Sequence, residues 1–141
     1  FKKVCISSDH AGFKLKELIK DFLINKNISI IDLGPANNSS VDYPDYAKKV
    51  SNRVRLNKSD VGILVCGSGT GMAISANKTK KIRAAVCYNL KSTRLCRQHN
   101  NANIITLGSR LIKKKDALKL VSVFLQTKFE GGRHLKRIKK I

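Results

Sequence analysis

The chain has 141 residues and 15.7 kDa, about one domain around one hydrophobic core, and its 42% hydrophobic residues exclude wholesale disorder. Its 29 Lys and Arg against 9 Asp and Glu leave a net charge of +20, which draws anions of every kind, from nucleic acid and acidic membranes to phosphorylated metabolites. No apolar run approaches the roughly 20 residues that a membrane span needs, which excludes an integral membrane protein.

Residues 4–7 form a short apolar run that predicts a strand, and the opening segment from Phe1 is polar again by Ser8, too soon for a secretory signal. Residues 12–26 place Phe13, Leu15, Leu18, Ile19, Phe22 and Leu23 at helical spacing, with Lys14, Lys16, Glu17 and Lys20 on the opposite, polar side. A second strand is expected over 28–33, then a helix over 46–56 that begins after the turn Tyr43-Pro44-Asp45. Residues 61–66 are nearly all apolar, the pattern of a parallel strand buried on both faces. Then come a short helix at 71–77, a strand at 84–87, a helix at 90–98, a strand at 104–107 and a helix at 114–127. Gly131-Gly132 breaks the chain before a short basic tail. Strands alternating with helices predict one α/β domain over 1–141, with about five parallel strands.

In such sheets ligands bind beyond the carboxyl ends of the strands, so the residues that follow each strand are the candidates. The sharpest is Cys66-Gly67-Ser68-Gly69-Thr70-Gly71, where alternate glycines can aim several N–H groups into one concavity for a phosphate or a reaction oxyanion. It is neither a Walker A loop nor G-x-G-x-x-G, and a bare strand–helix turn remains an alternative reading. Cys66, facing a helix N-terminus, is either a thiolate base or nucleophile or an inert buried thiol. Asp9 either caps the first helix or serves a site with His10; His99, at a helix end, either meets terminal carbonyls or acts chemically. Arg110, Arg133 and Arg137 are cationic near predicted loop and tail positions, and Arg133 and Arg137 share a face if the tail is helical and could clamp a phosphate. The four cysteines, Cys5, Cys66, Cys87 and Cys96, show no C-x-x-C pair, so neither a zinc site nor a disulfide framework is expected; Cys5 and Cys87 read as small hydrophobes of a reduced, cytoplasmic protein.

Asp9-His10-Ala11-Gly12, Asp42-Tyr43-Pro44, the Cys66–Gly71 block, Ala76-Asn77-Lys78, Arg97-Gln98-His99-Asn100, Gly108-Ser109-Arg110 and Glu130-Gly131-Gly132-Arg133-His134 together resemble, end to end, the ribose-5-phosphate isomerase B family, which includes galactose-6-phosphate isomerase subunits. The resemblance implies a Rossmann-like three-layer α/β/α sandwich, a homodimer or dimer of dimers with shared active sites, and no metal or cofactor. It implies interconversion of D-ribose 5-phosphate and D-ribulose 5-phosphate through an enediolate. By the same resemblance Cys66 is the base, Ser68 assists proton exchange between the two oxygens, and the N–H groups of Gly67, Ser68, Gly69, Thr70 and Gly71 form the oxyanion hole. His99 opens the sugar ring; Asp9, Tyr43 and Asn100 order the sugar; His10, Arg110, Arg133 and Arg137 hold the phosphate, some of them from the partner subunit, on which tail 131–141 docks. One branch of the family uses a glutamate just after the glycine loop, where this chain has Met72, so this chain is of the cysteine type. Two rivals remain: a six-carbon aldose phosphate such as galactose or allose 6-phosphate as substrate, and a basic nucleic-acid-binding protein. Scattered basic residues and only 6% aromatics argue against specific nucleic-acid binding.

Overall fold

The computed structural model describes residues 3–141; Phe1 and Lys2 of the opening run lie outside the described residues. The element order is β1 (Lys3–Ser8), α1 (Phe13–Asn25), β2 (Ser29–Asp32), α2 (Tyr43–Arg55), β3 (Val61–Cys66), α3 (Thr70–Ala76), β4 (Ala84–Val86), α4 (Leu90–Gln98), β5 (Ile104–Gly108), α5 (Lys114–Gln126) and α6 (Arg133–Ile138). All strand pairs are parallel, in the order β2-β1-β3-β5-β4. The Rossmann-like α/β fold is therefore as expected, and strand order reverses between β1 and β3.

Strand alternation distributes the core. Val4 and Ile6 of β1, Val61, Ile63 and Val65 of β3, and Ile105 and Leu107 of β5 pack against α1, α4 and α5 through Leu15, Ile19, Cys96, Val121 and Phe124. The opposite face, with Cys5, Leu64, Cys66 and Ile104, packs against Ala47, Val50 and Val54 of α2 and Met72 and Ala76 of α3. Both faces are covered, which is why β3 is apolar throughout. Cys5 and Cys87 are buried within these clusters as expected, and burial pushes the Cys5 thiol up to about 11.

Two expectations are corrected. Lys16, placed on the polar side of α1 by spacing, is fully buried: its Nζ donates to Asp32 Oδ2 at 2.7 Å and to the Pro35 carbonyl at 3.0 Å. A buried ammonium is tolerated because a carboxylate and a carbonyl meet it. Helix α2 begins at Tyr43, three residues earlier than expected, because Pro44 sits in the first turn, where its missing N–H leaves no bond unmade.

The edge strand β4 is short and is covered by a side chain. Asn77 Nδ2 donates to the Ala84 carbonyl at 2.9 Å, and the Ala84 N–H donates to Asn77 Oδ1 at 2.7 Å. Among the described residues no helix is long and apolar enough to cross a membrane.

Candidate active site

The register pairs Cys66 with Gly108, so the ends of β3 and β5 lie side by side and their following loops are stitched together. Ser109 N–H donates to the Cys66 carbonyl at 2.8 Å and Arg110 N–H to the Gly67 carbonyl at 3.0 Å. Gly69 takes φ +78, a left-handed value that a glycine adopts without strain, and turns the chain into α3. Its carbonyl accepts from the buried Thr106 Oγ1 at 2.8 Å. The Cys66 sulfur, 5% exposed as a residue, accepts from Gly69 N–H at 3.2 Å, and Thr70 N–H donates to Ser68 Oγ at 3.3 Å. Two of the five amides expected to form the oxyanion hole, those of Gly69 and Thr70, thus bind within the loop; Gly67, Ser68 and Gly71 are the ones left to it.

Around this loop lies a cavity of about 420 Å³ lined by Asp9, Tyr43, Cys66, Gly67, Ser68, Gly71, Arg110 and Leu111. Tyr43 reaches it because Gly71 leaves room: a β-carbon there would sit 2.7 Å from the tyrosine ring. The Arg110 guanidinium lies across Gly67. Asp9 does not cap α1, whose N-cap is Gly12 with no side-chain cap bond; its Oδ1 accepts from Gly12 N–H at 2.9 Å in the turn before the helix, and it lines the cavity. His10 is exposed beside it; its Nδ1 accepts from Val41 N–H at 3.3 Å, which leaves the hydrogen of a neutral ring on Nε2. A larger apolar groove of about 660 Å³ adjoins through Leu111, lined also by Tyr88, Leu90 and Ile112, but it contains neither the glycine loop nor the thiol.

The remaining candidates gather elsewhere. His99, Asn100, Arg133 and Arg137 line a separate cavity of about 320 Å³ with His134, Ile138 and Ile141. Helix α4 runs back from the end of β4 to the start of β5, so its terminal His99 and Asn100 lie at the amino edge of the sheet, opposite Cys66. The tail is helical as α6, and it brings Arg133 and Arg137 to that edge. The His134 ring stacks on that of His99, with centroids 4.2 Å apart and planes 14° from parallel. Glu130 Oε1 lies 3.5 Å from His134 Nε2 and 4.0 Å from His99 Nε2. Burial foremost, then the charges of His99 and Arg133, hold His134 below the ordinary imidazole range, against the pull of Glu130.

His99, Glu130 and His134 offer three ligand atoms within 4.8 Å of one another. A metal ion sits in the plane of each imidazole that ligates it, and rings stacked this nearly parallel share no such point. The trio as arranged is a stack beside a carboxylate and does not form a metal centre.

Thr106, Glu130 and His134 stand at these two places without a role assigned from the sequence. Thr106 had a signal, a lone hydroxyl in the apolar run Ile104-Ile105-Thr106-Leu107. Glu130 and His134 had one too, an acid and an imidazole four apart across two glycines.

The family model of ribose/galactose isomerases matches residues 4–141. The chain is 41% identical over 140 residues to ribose-5-phosphate isomerase B of Escherichia coli, covering 99% of this chain and 94% of that one. A crystal structure of a ribose 5-phosphate isomerase from Thermotoga maritima is similar at TM-score 0.96 and 51% identity, covering 98% of this chain and 95% of that one. Ribose-5-phosphate isomerase B from Mycoplasma genitalium, solved with bound ribulose-5-phosphate, is similar at TM-score 0.94 and 43% identity, covering 98% and 92%.

Proposed function

Because the chain belongs to the ribose/galactose isomerase family, we propose that it interconverts D-ribose 5-phosphate and D-ribulose 5-phosphate, with each active site built by two copies of the chain. The observation that carries this reading is Cys66: a thiol in the lining of a sugar-sized cavity, beside backbone donors and between Asp9, Tyr43 and Arg110.

Aldose–ketose isomerisation removes a proton from C2, passes through an enediolate and returns a proton to C1. The Cys66 sulfur, as thiolate, takes the C2 proton and delivers it to C1. Ser68 Oγ, two residues on, carries a proton between O1 and O2. Charge on the enediolate oxygens is met by the amides of Gly67, Ser68 and Gly71. Asp9 and Tyr43 orient the hydroxyls, and His10 and Arg110 supply cationic or donor groups for the phosphate.

His99, Asn100, Arg133 and Arg137 stand at the opposite edge of the same chain and cannot reach this thiol. A two-fold pair joins the thiol edge of one copy to the histidine edge of the other, twice over. His99 of the second copy then opens the furanose, Asn100 orders the open chain, and Arg133 and Arg137 complete the phosphate clamp. Exposed apolar side chains Ile74, Tyr88 and Leu111 give such a pair surface to bury.

The test is turnover of ribose 5-phosphate with a chelator present, followed by its ketose product. Ribulose 5-phosphate formation is expected, faster than turnover of galactose or allose 6-phosphate. Preference for a six-carbon substrate would move the assignment within the family, and no turnover of either would overturn it.

A further inference from the structure

We infer that Glu130 and His134 are positioning residues for ring opening, holding the His99 imidazole by its Nε2 edge and by its face. The inference rests on the ring-opening role of His99 given above. His99 is the C-cap of α4 with its side chain 40% exposed, a setting in which an imidazole ordinarily samples several rotamers. Here two contacts define it. The buried ring of His134 lies parallel to it at 4.2 Å, and the Glu130 carboxylate lies 4.0 Å from its Nε2.

The backbone shows how the chain builds this arrangement. Glu130 N–H donates to the Gln98 carbonyl at 3.1 Å, which ties the start of the tail to the residue before His99. Gly131 and Gly132 follow at φ +68 and +54, and a β-carbon on either would meet nothing. They are required by conformation alone, to reverse the chain so that His134 comes under the same carboxylate. The same helix turn carries Arg133 and Arg137, so the phosphate arginines and the imidazole stack form one unit.

The chemistry needs both contacts. Opening a cyclic aldose moves a proton off the anomeric O1 hydroxyl and delivers one to the ring oxygen as the C1–O bond breaks. The His99 imidazole that takes the O1 proton is a cation until it gives that proton to the ring oxygen as the C1–O bond breaks, and Glu130 is the carboxylate at its edge. The stacked His134, whose pKa burial and the neighbouring positive charges lower, aligns the ring beside that charge.

The experiment isolates ring opening in the full chain carrying Cys66→Ala, which cannot isomerise, by measuring exchange between the α and β anomers of ribose 5-phosphate by NMR. Glu130→Gln in that background should slow enzyme-dependent exchange at saturation about tenfold or more, with sugar-phosphate affinity within about twofold. His134→Phe, which keeps a flat ring, should stay within about threefold of its parent, whereas His134→Ala should fall further. Exchange at the parental rate in Glu130→Gln, a loss of affinity alone, or equal losses in His134→Phe and His134→Ala would overturn the positioning role and leave the isomerase reading intact. A parent that does not speed exchange although the wild type isomerises would remove ring opening from His99, and this inference with it. An inactive wild type would mark the failure of the functional reading itself.

Discussion

At Cys66 two demands meet in one residue: its position ends a fully buried strand, and its sulfur faces a loop whose Gly69 N–H donates to it. Alanine fits the same packing, so Cys66→Ala should fold normally, bind sugar phosphate and lose about 10²–10⁴ in kcat or more, as expected for loss of a base. Steady-state turnover beside a binding titration checks both halves; retention of a tenth of wild-type kcat would require another base. Lys16 sits at the other extreme, buried for structure. Lys16→Met should cost about 1–3 kcal/mol in denaturant unfolding, below the usual penalty for a broken buried pair because Lys20 Nζ still lies 2.6 Å from Asp32. Burial acts to raise the Asp32 carboxyl, but hydrogen bonds from Lys16 and Lys20 outweigh it and hold the group below its ordinary 3.8. A lowered folded-state value means that the unfolded chain binds the proton more readily, so this contribution is complete above about 3.8 and is lost as pH falls below it. Asp32→Asn should therefore flatten the acid limb of a stability–pH curve.

Among the elements, α6 holds the most of the proposed site for its length. Six residues do not hold a helix alone in water, and this one is held by the His134–His99 stack. Arg137→Ala should raise KM for ribose 5-phosphate about tenfold or more without weakening the proposed pair of chains, while deletion of 131–141 should do the first and can do the second. Unchanged binding by the truncated chain would make those arginines surface charge. The sheet and most helices were legible in the residues because apolar period is local: β3 and α4 run over the residues that periodicity marks. The glycine loop was legible for the same reason, since its pattern lies within six residues. Tyr43 was missed as a helix start because a proline looks the same in a turn and in a first helical turn. Lys16 was missed because its partners, Asp32 and Pro35, are 16 and 19 residues away and meet it only after β2 has paired with β1. The division of the site into two edges was likewise hidden in the order of motifs, and needed the direction of α4.

For the molecule as a whole, opposite edges imply complementation. Cys66→Ala and His99→Asn chains, each nearly inactive, should recover about a quarter of wild-type activity when unfolded and refolded together in equal amounts, because half the pairs are mixed and each has one intact site. Sites contained within single chains would recover nothing. The Asn77 bracket on Ala84 has its own consequence at this scale. In a parallel strand the N–H and carbonyl of one residue point to the same side, and with β5 occupying the other flank those of Ala84 face outward, where another chain's strand could dock. A primary amide placed there mimics one residue of such a strand and ends the ladder. Asn77→Ala would uncover a growing end on every subunit, so its harm should show first as visible turbidity on warming concentrated samples, with catalytic rates per folded molecule unchanged.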